Sequence, residues 1–340
     1  MNPASDFGHV PLAVSTRGGL IENVHYGSIA VADATGRLLH SAGNPGLTTF
    51  TRSALKAFQA LPFLRDRGPE AFGFGTREVA LLTASHSGED FHAEGVQRML
   101  DAAGNAPARL RCGCHVPYFY DATGQRPPPE AVIDVRRHNC SGKHAGFLAW
   151  CSLHEAPHDT YLEIDHPLQV RLRAEVGALL GVAPEAIPVG IDGCSAPNLA
   201  LPLTGLARLW AMVAAGGADA QTDSIFSSVF DAMTTHPEYV SGTARSDLLF
   251  SRAGGGDWVA KAGADGVQTL GIRSRGLGIA LKIADGHARA RETVAVEVLR
   301  ALGLPGAEDP ALAGCAKIPI VNLMGVRTGE LRPVFTLIDH

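Results

Sequence analysis

The sequence predicts an α+β fold in which helices flank an antiparallel sheet built from both ends of the chain. Strand-like segments separated by turn residues fill the first fifty residues and return after residue 250, whereas segments with helical spacing fill the middle. We therefore expect one catalytic domain, residues 1–340, with a sheet lobe at about 1–50 and 250–340 and a helical insert lobe at about 51–249. A cleft between sheet and helices is the expected place for a ligand.

The predicted elements follow one another in a simple order. The N-terminal strands are VPLAVST, HYGSIAVAD and RLLHSAG, and the C-terminal strands are DWVAKAGADG, VQTLGIRSRG and LGIALKIADG. Helical spacing marks AEGVQRMLDAAG, SGKHAGFLAWCSLHE, PLQVRLRAEVGALLG, APNLALPLTGLARLWAMVAAG and TDSIFSSVFDAMTTH. A last helix, ARETVAVEVLRALG, precedes a tail that is predicted to be extended.

Composition and charge narrow the class of protein. The chain of 340 residues is 46% apolar and 19% charged, as in an ordinary globular protein. Its formal net charge of −5, without a long basic run, argues against nucleic-acid binding. No apolar stretch is long enough to span a membrane and the N-terminus lacks signal-peptide features, so we expect a cytoplasmic protein. Its six cysteines are then expected to be thiols or metal ligands.

The stretch TRSALKAFQAL opens the first predicted helix and carries a candidate nucleophile. Ser53 and Lys56 are three residues apart, so on a helix both side chains lie on one face. A lysine amine beside a serine hydroxyl can remove its proton and activate it as a nucleophile. An ordinary capped first turn has the same pattern, since Ser-x-x-Lys is common by chance.

A second lysine lies on the first strand that returns after residue 250, in Lys261-Ala262-Gly263. A Ser-x-x-Lys helix start followed by a Lys-x-Gly strand is the arrangement of serine β-lactamases, penicillin-binding proteins and glutaminases. There the strand lysine places positive charge beside the substrate. Lys-Ala-Gly departs from the usual Lys-Thr-Gly, and an exposed strand lysine before a turn is the alternative interpretation.

The segment TASHSGEDFH places hydroxyl groups where an apolar run ends. Ser85 and Ser87 lie on either side of His86, just before a glycine. Hydroxyls at such a junction can hold a substrate or supply a second nucleophile. The alternative is that they cap the helix predicted to begin near Glu89.

Two cysteines and a lysine form a candidate zinc site. Cys140, Lys143 and His144 fall on one helical face, and Asp192 and Cys194 share a later turn. Two thiolates and a nitrogen ligand suit zinc and leave a fourth position for water or substrate. Lysine is an unusual ligand, because only its neutral amine has a lone pair to donate. Cysteines this far apart in sequence are also common as buried core thiols.

Two further motifs are weak by themselves. Ser241-Gly242-Thr243-Ala244 could suggest a hydrolase that cleaves itself before a threonine. Cys112-Gly113-Cys114 could bind a metal or undergo redox chemistry, but the sequence offers no partner for it. Neither motif predicts a function.

Five motifs in one order resemble those of the rhizobial-type (class 3) L-asparaginases, also called the asparaginase II family. They are TRSALKAFQALP, ASHSGED, HNCSGKHAGFLAW, DGCSAPNLALPL and WVAKAGADGV. The resemblance runs from about residue 9 to the C-terminus. It implies a fold similar to that of serine β-lactamases and glutaminases, and the hydrolysis of L-asparagine to L-aspartate and ammonia.

The resemblance also implies roles for individual residues. The implied catalytic residues are Ser53, Lys56, Ser85 and Lys261. The implied substrate-binding residues are Arg52, His144 and Asp192. The implied zinc ligands are Cys140, Lys143 and Cys194. Ser53 would pair with Lys56, and Ser85 with Lys261. The implied zinc ion helps substrate binding without being strictly required, and the implied assembly is a homodimer.

Several alternatives stay open. Ser53 is favoured as the nucleophile, with Ser85 relaying protons or positioning substrate, and backbone amides near Ser53 would stabilise the oxyanion. Lys56 would act as the base in its neutral form, which burial near Lys261 or Arg52 favours. The other enzyme classes are a glutaminase, a penicillin-recognising hydrolase or another amidase of the same fold. A non-catalytic zinc-dependent asparagine sensor is the alternative outside enzymes.

Overall fold

The computed structural model describes residues 7–131 and 133–340, and the chain forms two compact units. One unit, called the sheet unit here, comprises Met1–Ala54, Leu201–Gly217 and Leu249–His340. The other, called the helical unit, comprises Leu55–Ala200 and Ala218–Leu248. Antiparallel strands dominate the first and helices the second, so the predicted α+β class is confirmed.

The strands are β1 Val10–Arg17, β2 Leu20–Asp33, β3 Leu38–Ala42, β4 Thr48–Phe50, β5 Val189–Ile191, β6 Pro197–Pro202, β7 Trp258–Ala262, β8 Val267–Ile272, β9 Leu277–Ile283, β10 Ile318–Val321, β11 Arg327–Pro333 and β12 Ile338–Asp339. The α-helices are α1 Lys56–Gln59, α2 Leu61–Arg65, α3 Gly68–Phe72, α4 Thr76–Leu82, α5 Asp90–Ala102, α6 Tyr118–Thr123, α7 Ser141–Leu153, α8 Pro167–Leu180, α9 Leu203–Ala215, α10 Ala220–Thr235, α11 Pro237–Val240, α12 Ser246–Ala253, α13 Ala288–Ala301 and α14 Ala313–Ala316. Among the described residues, none of these helices is both long and apolar enough to cross a bilayer.

Strands from both ends of the chain form the main sheet of the sheet unit. Its order is β10-β11-β1-β2-β9-β8-β7, with β3 pairing with β2 and with β12. The two ends meet where β2 pairs antiparallel with β9, in a register that joins Gly27 to Ile283 and Asp33 to Leu277. The predicted sheet from both termini is therefore confirmed. The tail predicted only to be extended supplies β10, β11 and β12, and β11 pairs with β1.

Two helices cover opposite faces of this sheet. Alternation along β9 turns Gly278 towards α9, where a Cβ atom would clash with the Ala207 carbonyl, so only glycine lets helix and strand approach this closely. The intervening residues of β9, Ile279 and Leu281, are fully buried in a core that also contains Val294 of α13. Both faces of the sheet at β9 are thus removed from water, which explains the apolar run in that strand.

Helix α7 is the buried centre of the helical unit. Its residues are inaccessible to solvent on nearly every side from Ser141 to Cys151. A Cβ atom at Gly142 would clash with the Leu81 carbonyl, and one at Gly146 with the Leu82 side chain. The glycines of SGKHAGF therefore allow α7 to pack closely against α4, and this packing fixes the residues that precede and open α7.

One predicted helix begins later than expected. The segment from Ala196 to Gly216 was predicted to be helical throughout, but Pro197–Pro202 forms β6, and β6 pairs antiparallel with β5. The prolines explain the difference, because proline lacks the N–H of a helical hydrogen bond and disfavours helical backbone in the residue before it. Helix α9 begins directly after Pro202, at Leu203.

Candidate active site

A fully buried lysine lies at the centre of the candidate site in the helical unit. Lys56 opens α1 and has a relative exposure of 0%. Its Nζ atom lies 2.5 Å from the Ala84 carbonyl oxygen, 2.9 Å from Ser85 Oγ and 3.4 Å from the Asn139 carbonyl oxygen. All three partners are uncharged oxygens. The amine is thus buried without a neighbouring carboxylate among these contacts, which is unusual for a lysine.

Backbone hydrogen bonds hold Ser85 in front of Lys56. The segment that contains it follows α4, and the Ser85 N–H donates to the Val240 carbonyl over 2.9 Å. The His86 N–H donates to the Asn139 carbonyl over 3.2 Å, and the Phe119 N–H donates to the Ser87 carbonyl over 2.9 Å. Three separate parts of the chain therefore hold this short loop, so the Ser85 hydroxyl is held by backbone and does not depend on one flexible side chain.

Asn139 connects this loop to the start of α7. Its carbonyl accepts from both Lys56 and His86, and its N–H donates to His115 Nε2 over 3.2 Å. His138 Nδ1 accepts from the Cys140 N–H over 3.0 Å, which caps the turn entering α7. The motif HNCSGKH therefore has two roles: Asn139 faces Lys56, and the residues after it carry the thiol and amine described below.

His86 is a buried neutral group behind Ser85. Its Nδ1 accepts from the Gly88 N–H over 3.2 Å, so its Nε2 carries the proton and donates to Ser141 Oγ over 2.9 Å. Ser141 in turn donates to the Arg136 carbonyl over 2.6 Å. Burial is the main reason why the pKa of His86 lies well below its ordinary value. The imidazole behind Ser85 is therefore neutral.

Cys140, Lys143 and Cys194 lie together in the same unit, each at most 3% exposed. Lys143 Nζ donates to Cys194 Sγ over 3.2 Å. A hydrogen bond from the Cys140 thiol lowers the pKa of Cys194, as does the Lys143 charge, while the same bond raises the pKa of Cys140. Burial by itself lowers the pKa of Lys143, but the charge of the Cys194 thiolate is the largest of the effects that raise it overall. The cluster thus favours an ammonium beside one thiolate.

His144 and Asp192 border this cluster. His144 Nδ1 is 2.7 Å from Tyr161 Oη, whereas His144 Nε2 is buried without a hydrogen-bond partner among the described residues. Burial is the main reason why the pKa of His144 falls to about 4. Asp192 accepts from the Gly193 N–H over 2.9 Å and lies 4.0 Å from Cys194 Sγ, so its carboxylate is held at the edge of the cluster.

The donor set of this cluster fits zinc, but only with the lysine included. Within residues 7–131 and 133–340, no group of three or more His, Cys, Asp or Glu side chains is arranged to hold a metal ion. Cys140, Lys143 and Cys194 together offer two sulfur atoms and one nitrogen, which are ligand types that zinc accepts. The unpartnered Nε2 of His144 is a buried nitrogen next to this set. The residues therefore fit the metal, provided that Lys143 gives up its proton.

The sheet unit contains the other predicted catalytic residues. Ser53 is half-buried on a 3₁₀ turn, Arg52–Leu55, and the Arg52 side chain forms an ion pair with Asp265. Lys261 is fully buried in β7, and its Nζ lies 3.0 Å from the Ala262 carbonyl. The Thr51 carbonyl packs against Gly263, where a Cβ atom would lie only 3.0 Å from it. The end of β7 and the segment that begins Thr51-Arg52-Ser53 therefore lie together.

The division between the units falls inside the Ser-x-x-Lys motif. The sheet unit ends at Ala54 and the helical unit begins at Leu55. The 3₁₀ turn that carries Ser53 continues directly into α1, which starts at Lys56. Ser53 and Lys56 are thus joined by continuous helical chain. The contact of Lys56 with Ser85 was not part of the sequence-based interpretation, which had paired Ser85 with Lys261.

Two partners of Lys56 could not be found from sequence motifs. Ala84 and Asn139 contact it through backbone carbonyls, which every residue type possesses. Asn139 lies within HNCSGKH, so the motif includes a segment that contacts Lys56 but does not indicate that the backbone carbonyl of Asn139 makes the contact. Ser241 lies in Ser241-Gly242-Thr243-Ala244, a motif that by itself predicts no function.

A fully buried lysine amine thus lies in contact with a serine hydroxyl, within hydrogen-bonding distance. The sequence profile of the L-asparaginase II family matches residues 13–333, and the protein belongs to this family. This confirms the family resemblance and supports amidohydrolase activity of the asparaginase type. No curated protein matched the chain.

Proposed function

We propose that the protein hydrolyses L-asparagine to L-aspartate and ammonia by a serine–lysine mechanism. Family membership supports the reaction class. The observation that carries the mechanism is Lys56, which is fully buried, with its Nζ 2.9 Å from Ser85 Oγ. The proposal further takes the fold to be of the serine β-lactamase and glutaminase type, as the motifs imply.

The contacts of Lys56 are those that a base for a serine hydroxyl needs. A neutral lysine amine has two N–H donors and one lone pair. The carbonyls of Ala84 and Asn139 can only accept, so they match the two donors. In the structure Lys56 Nζ donates to Ser85 Oγ, and when the amine is neutral the same contact lets the Ser85 hydroxyl donate to its lone pair. The serine proton then has a direct path to the base.

The proposed chemistry proceeds through an acyl-enzyme. A serine oxygen attacks the amide carbon while its proton passes to Lys56, the C–N bond breaks, and Lys56 returns the proton to the leaving ammonia. Water then attacks the serine ester and gives its proton to Lys56, which passes it to the leaving serine oxygen as aspartate is released. Ser53 is the favoured nucleophile on sequence grounds, and Ser85 passes the proton to Lys56. Arg52 and Lys261 are assigned to the site by the motifs, and Lys261 supplies positive charge for the substrate.

Zinc is proposed as an aid to substrate binding. Cys140, Lys143 and Cys194 would hold it, with His144 and Asp192 at its border. When bound, the ion supplies a Lewis acid that orients the amino-acid end of the substrate. The chain's own part is to keep two thiols and an amine together in a buried pocket. Zinc is not strictly required in this proposal, because lysine and serine already provide the nucleophile.

Ammonia release from L-asparagine, with L-glutamine in parallel, tests the function. Wild-type protein should release ammonia from asparagine, and Ser53→Ala should lower kcat by at least about 10³-fold, because removing a nucleophile leaves only binding and oxyanion contributions. Release that survives Ser53→Ala but not Ser85→Ala would move the nucleophile to Ser85. Equal or faster release from glutamine would indicate a glutaminase. Binding of asparagine without any ammonia would indicate a sensor.

Two further proposals rest on the sequence alone. We propose a homodimer and a cytoplasmic location. Light scattering during gel filtration measures the first, and cell fractionation measures the second.

A further inference from the structure

Ser241 has a buried hydroxyl that nothing in the described protein uses. The residue has a relative exposure of 1%, and its Oγ atom has no hydrogen-bond partner among the described residues. A hydroxyl removed from water without a partner is unfavourable, and folded proteins rarely leave one so. A buried hydroxyl of this kind is therefore a candidate contact for a molecule that binds later.

The residues on both sides of Ser241 contact the loop that carries Ser85. The preceding residue, Val240, accepts the Ser85 N–H through its carbonyl over 2.9 Å. The following residue, Gly242, lies so close to Ser87 that a Cβ atom would clash with Ser87 Oγ. Ser241 is thus bracketed by two contacts to the Ser85–Ser87 loop. The backbone of Ser241 is therefore next to the loop whose Ser85 hydroxyl lies 2.9 Å from Lys56 Nζ.

The segment around Ser241 is held in a defined, strained conformation. Gly242 has φ +99° and Ala244 has φ +59°, a region that is unfavourable for residues with side chains. Glu89 fixes the segment, because its carboxylate accepts from the Thr243 N–H over 2.8 Å, from Thr243 Oγ1 over 2.7 Å and from Ser87 Oγ over 2.6 Å. Such strain persists only where surrounding contacts enforce it, and it clusters at functional sites.

We propose that the Ser241 hydroxyl is a catalytic-site residue that hydrogen-bonds the amino-acid amide substrate. This rests on the proposed function, because the substrate class is the one assigned above. The free protein leaves the hydroxyl unpaired, and bound substrate supplies its partner. The motif Ser241-Gly242-Thr243-Ala244 then has a function after all: it presents one serine to the substrate and uses Thr243 and Glu89 to hold that serine in place.

Ser241→Ala tests the proposal through opposite effects on activity and stability. We expect kcat/KM for L-asparagine to fall by about 10–100-fold, as for the loss of one hydrogen bond to a bound substrate. The melting temperature of the free protein should stay unchanged or rise, because the deleted hydroxyl has no protein partner to lose. A hydroxyl with a purely structural partner, such as a buried water, would instead lower the melting temperature when removed.

Ser152→Ala is the matched control in the same unit. The Ser152 hydroxyl donates to the Ala103 carbonyl over 2.9 Å and accepts from Asn105 over 2.9 Å. Its removal should lower the melting temperature and leave kcat/KM unchanged. Unchanged kcat/KM in Ser241→Ala, or a loss that is matched by a lower melting temperature, would overturn the proposal.

A binding measurement separates this inference from the proposed function. The rise in melting temperature caused by saturating L-asparagine or L-aspartate is compared between wild type and Ser241→Ala. A smaller rise in the variant supports the Ser241 contact even if wild-type protein releases no ammonia, in which case the hydrolase proposal alone fails. An equal rise in both proteins, or none in wild type, overturns the Ser241 contact.

Discussion

Two buried lysines in the helical unit differ in what surrounds their amines. Lys56 contacts two backbone carbonyls and a serine hydroxyl, all uncharged oxygens. Lys143 contacts a thiol whose pKa is lowered, and its own pKa is raised by the charges of Cys194 and Cys140. Burial alone thus does not decide the chemistry of a lysine. The charge of the partners matters as well, since an adjacent thiolate favours the ammonium form of Lys143.

This difference underlies the different roles that we propose for the two lysines. Lys56, whose partners are uncharged oxygens, is proposed as the base. Lys143, whose amine lies beside two cysteine sulfurs, is proposed as a metal ligand in its deprotonated form.

The largest expected effect comes from replacing the base. Lys56→Met fills the same buried space without an amine, so kcat for L-asparagine should fall by about 10²–10⁴-fold, the usual contribution of a general base. Steady-state kinetics with a folded-state check by circular dichroism measures this. Because Lys143→Met makes the same substitution in the other environment, it is the control, and it should leave kcat within a few-fold of wild type. Equal losses of kcat in both variants would show that the two lysines do not have the different roles proposed for them.

A smaller effect should separate binding from catalysis at the thiol cluster. Lys143→Met should raise KM by about 10–100-fold, the range found when metal-site residues are altered. A chelator that removes zinc should raise the KM of wild type to the same level and change the variant little. Metal analysis of the purified proteins follows the zinc content in parallel. If wild-type protein holds no zinc and KM is unaffected by the chelator, the cluster does not serve as a metal site for this reaction.

The smallest effect concerns the neutral surroundings of Lys56. His92 stacks on His86, with ring centroids 4.7 Å apart, and burial lowers the pKa of His92 to about 4, although the Glu238 carbonyl and Glu89 act in the opposite direction. Between pH 6.5 and about 4, the unfolded chain therefore binds more protons at this position than the folded chain does. The contribution of His92 to stability is complete above pH 6.5 and is lost as the pH falls towards 4.

His92→Gln should therefore flatten the acid side of the stability profile. The free energy of unfolding, measured by urea titration at several pH values, should lose about 1.4 kcal/mol per pH unit of its slope within that window. Above pH 7, the slope should match that of wild type. An unchanged slope at low pH would mean that His92 is charged in the folded protein, and the surroundings of Lys56 would then not be neutral.

Much of the fold could be predicted from local patterns. The strands at each end alternate and are bounded by turns, and α7, α8, α10 and α13 have clear helical spacing, so the structure agrees with those predictions. The error at Pro197–Pro202 came from giving the apolar spacing of the segment more weight than its two prolines. The tail strands were missed as strands because β10 and β11 gain their stability from pairing with distant β1.

The sequence by itself determined the family, the α+β class and the residue types that could do chemistry, because these depend on the order of side chains along the chain. Only the tertiary structure decided that Lys56 contacts Ser85 and the carbonyls of Ala84 and Asn139. It also decided that the Ser241 hydroxyl is buried without a hydrogen-bond partner in the part of the chain that the structure describes. The physical reason is that backbone acceptors are the same at every position, and burial depends on what distant segments cover. A local sequence pattern therefore indicates neither which backbone carbonyl a side chain contacts nor whether that side chain is buried.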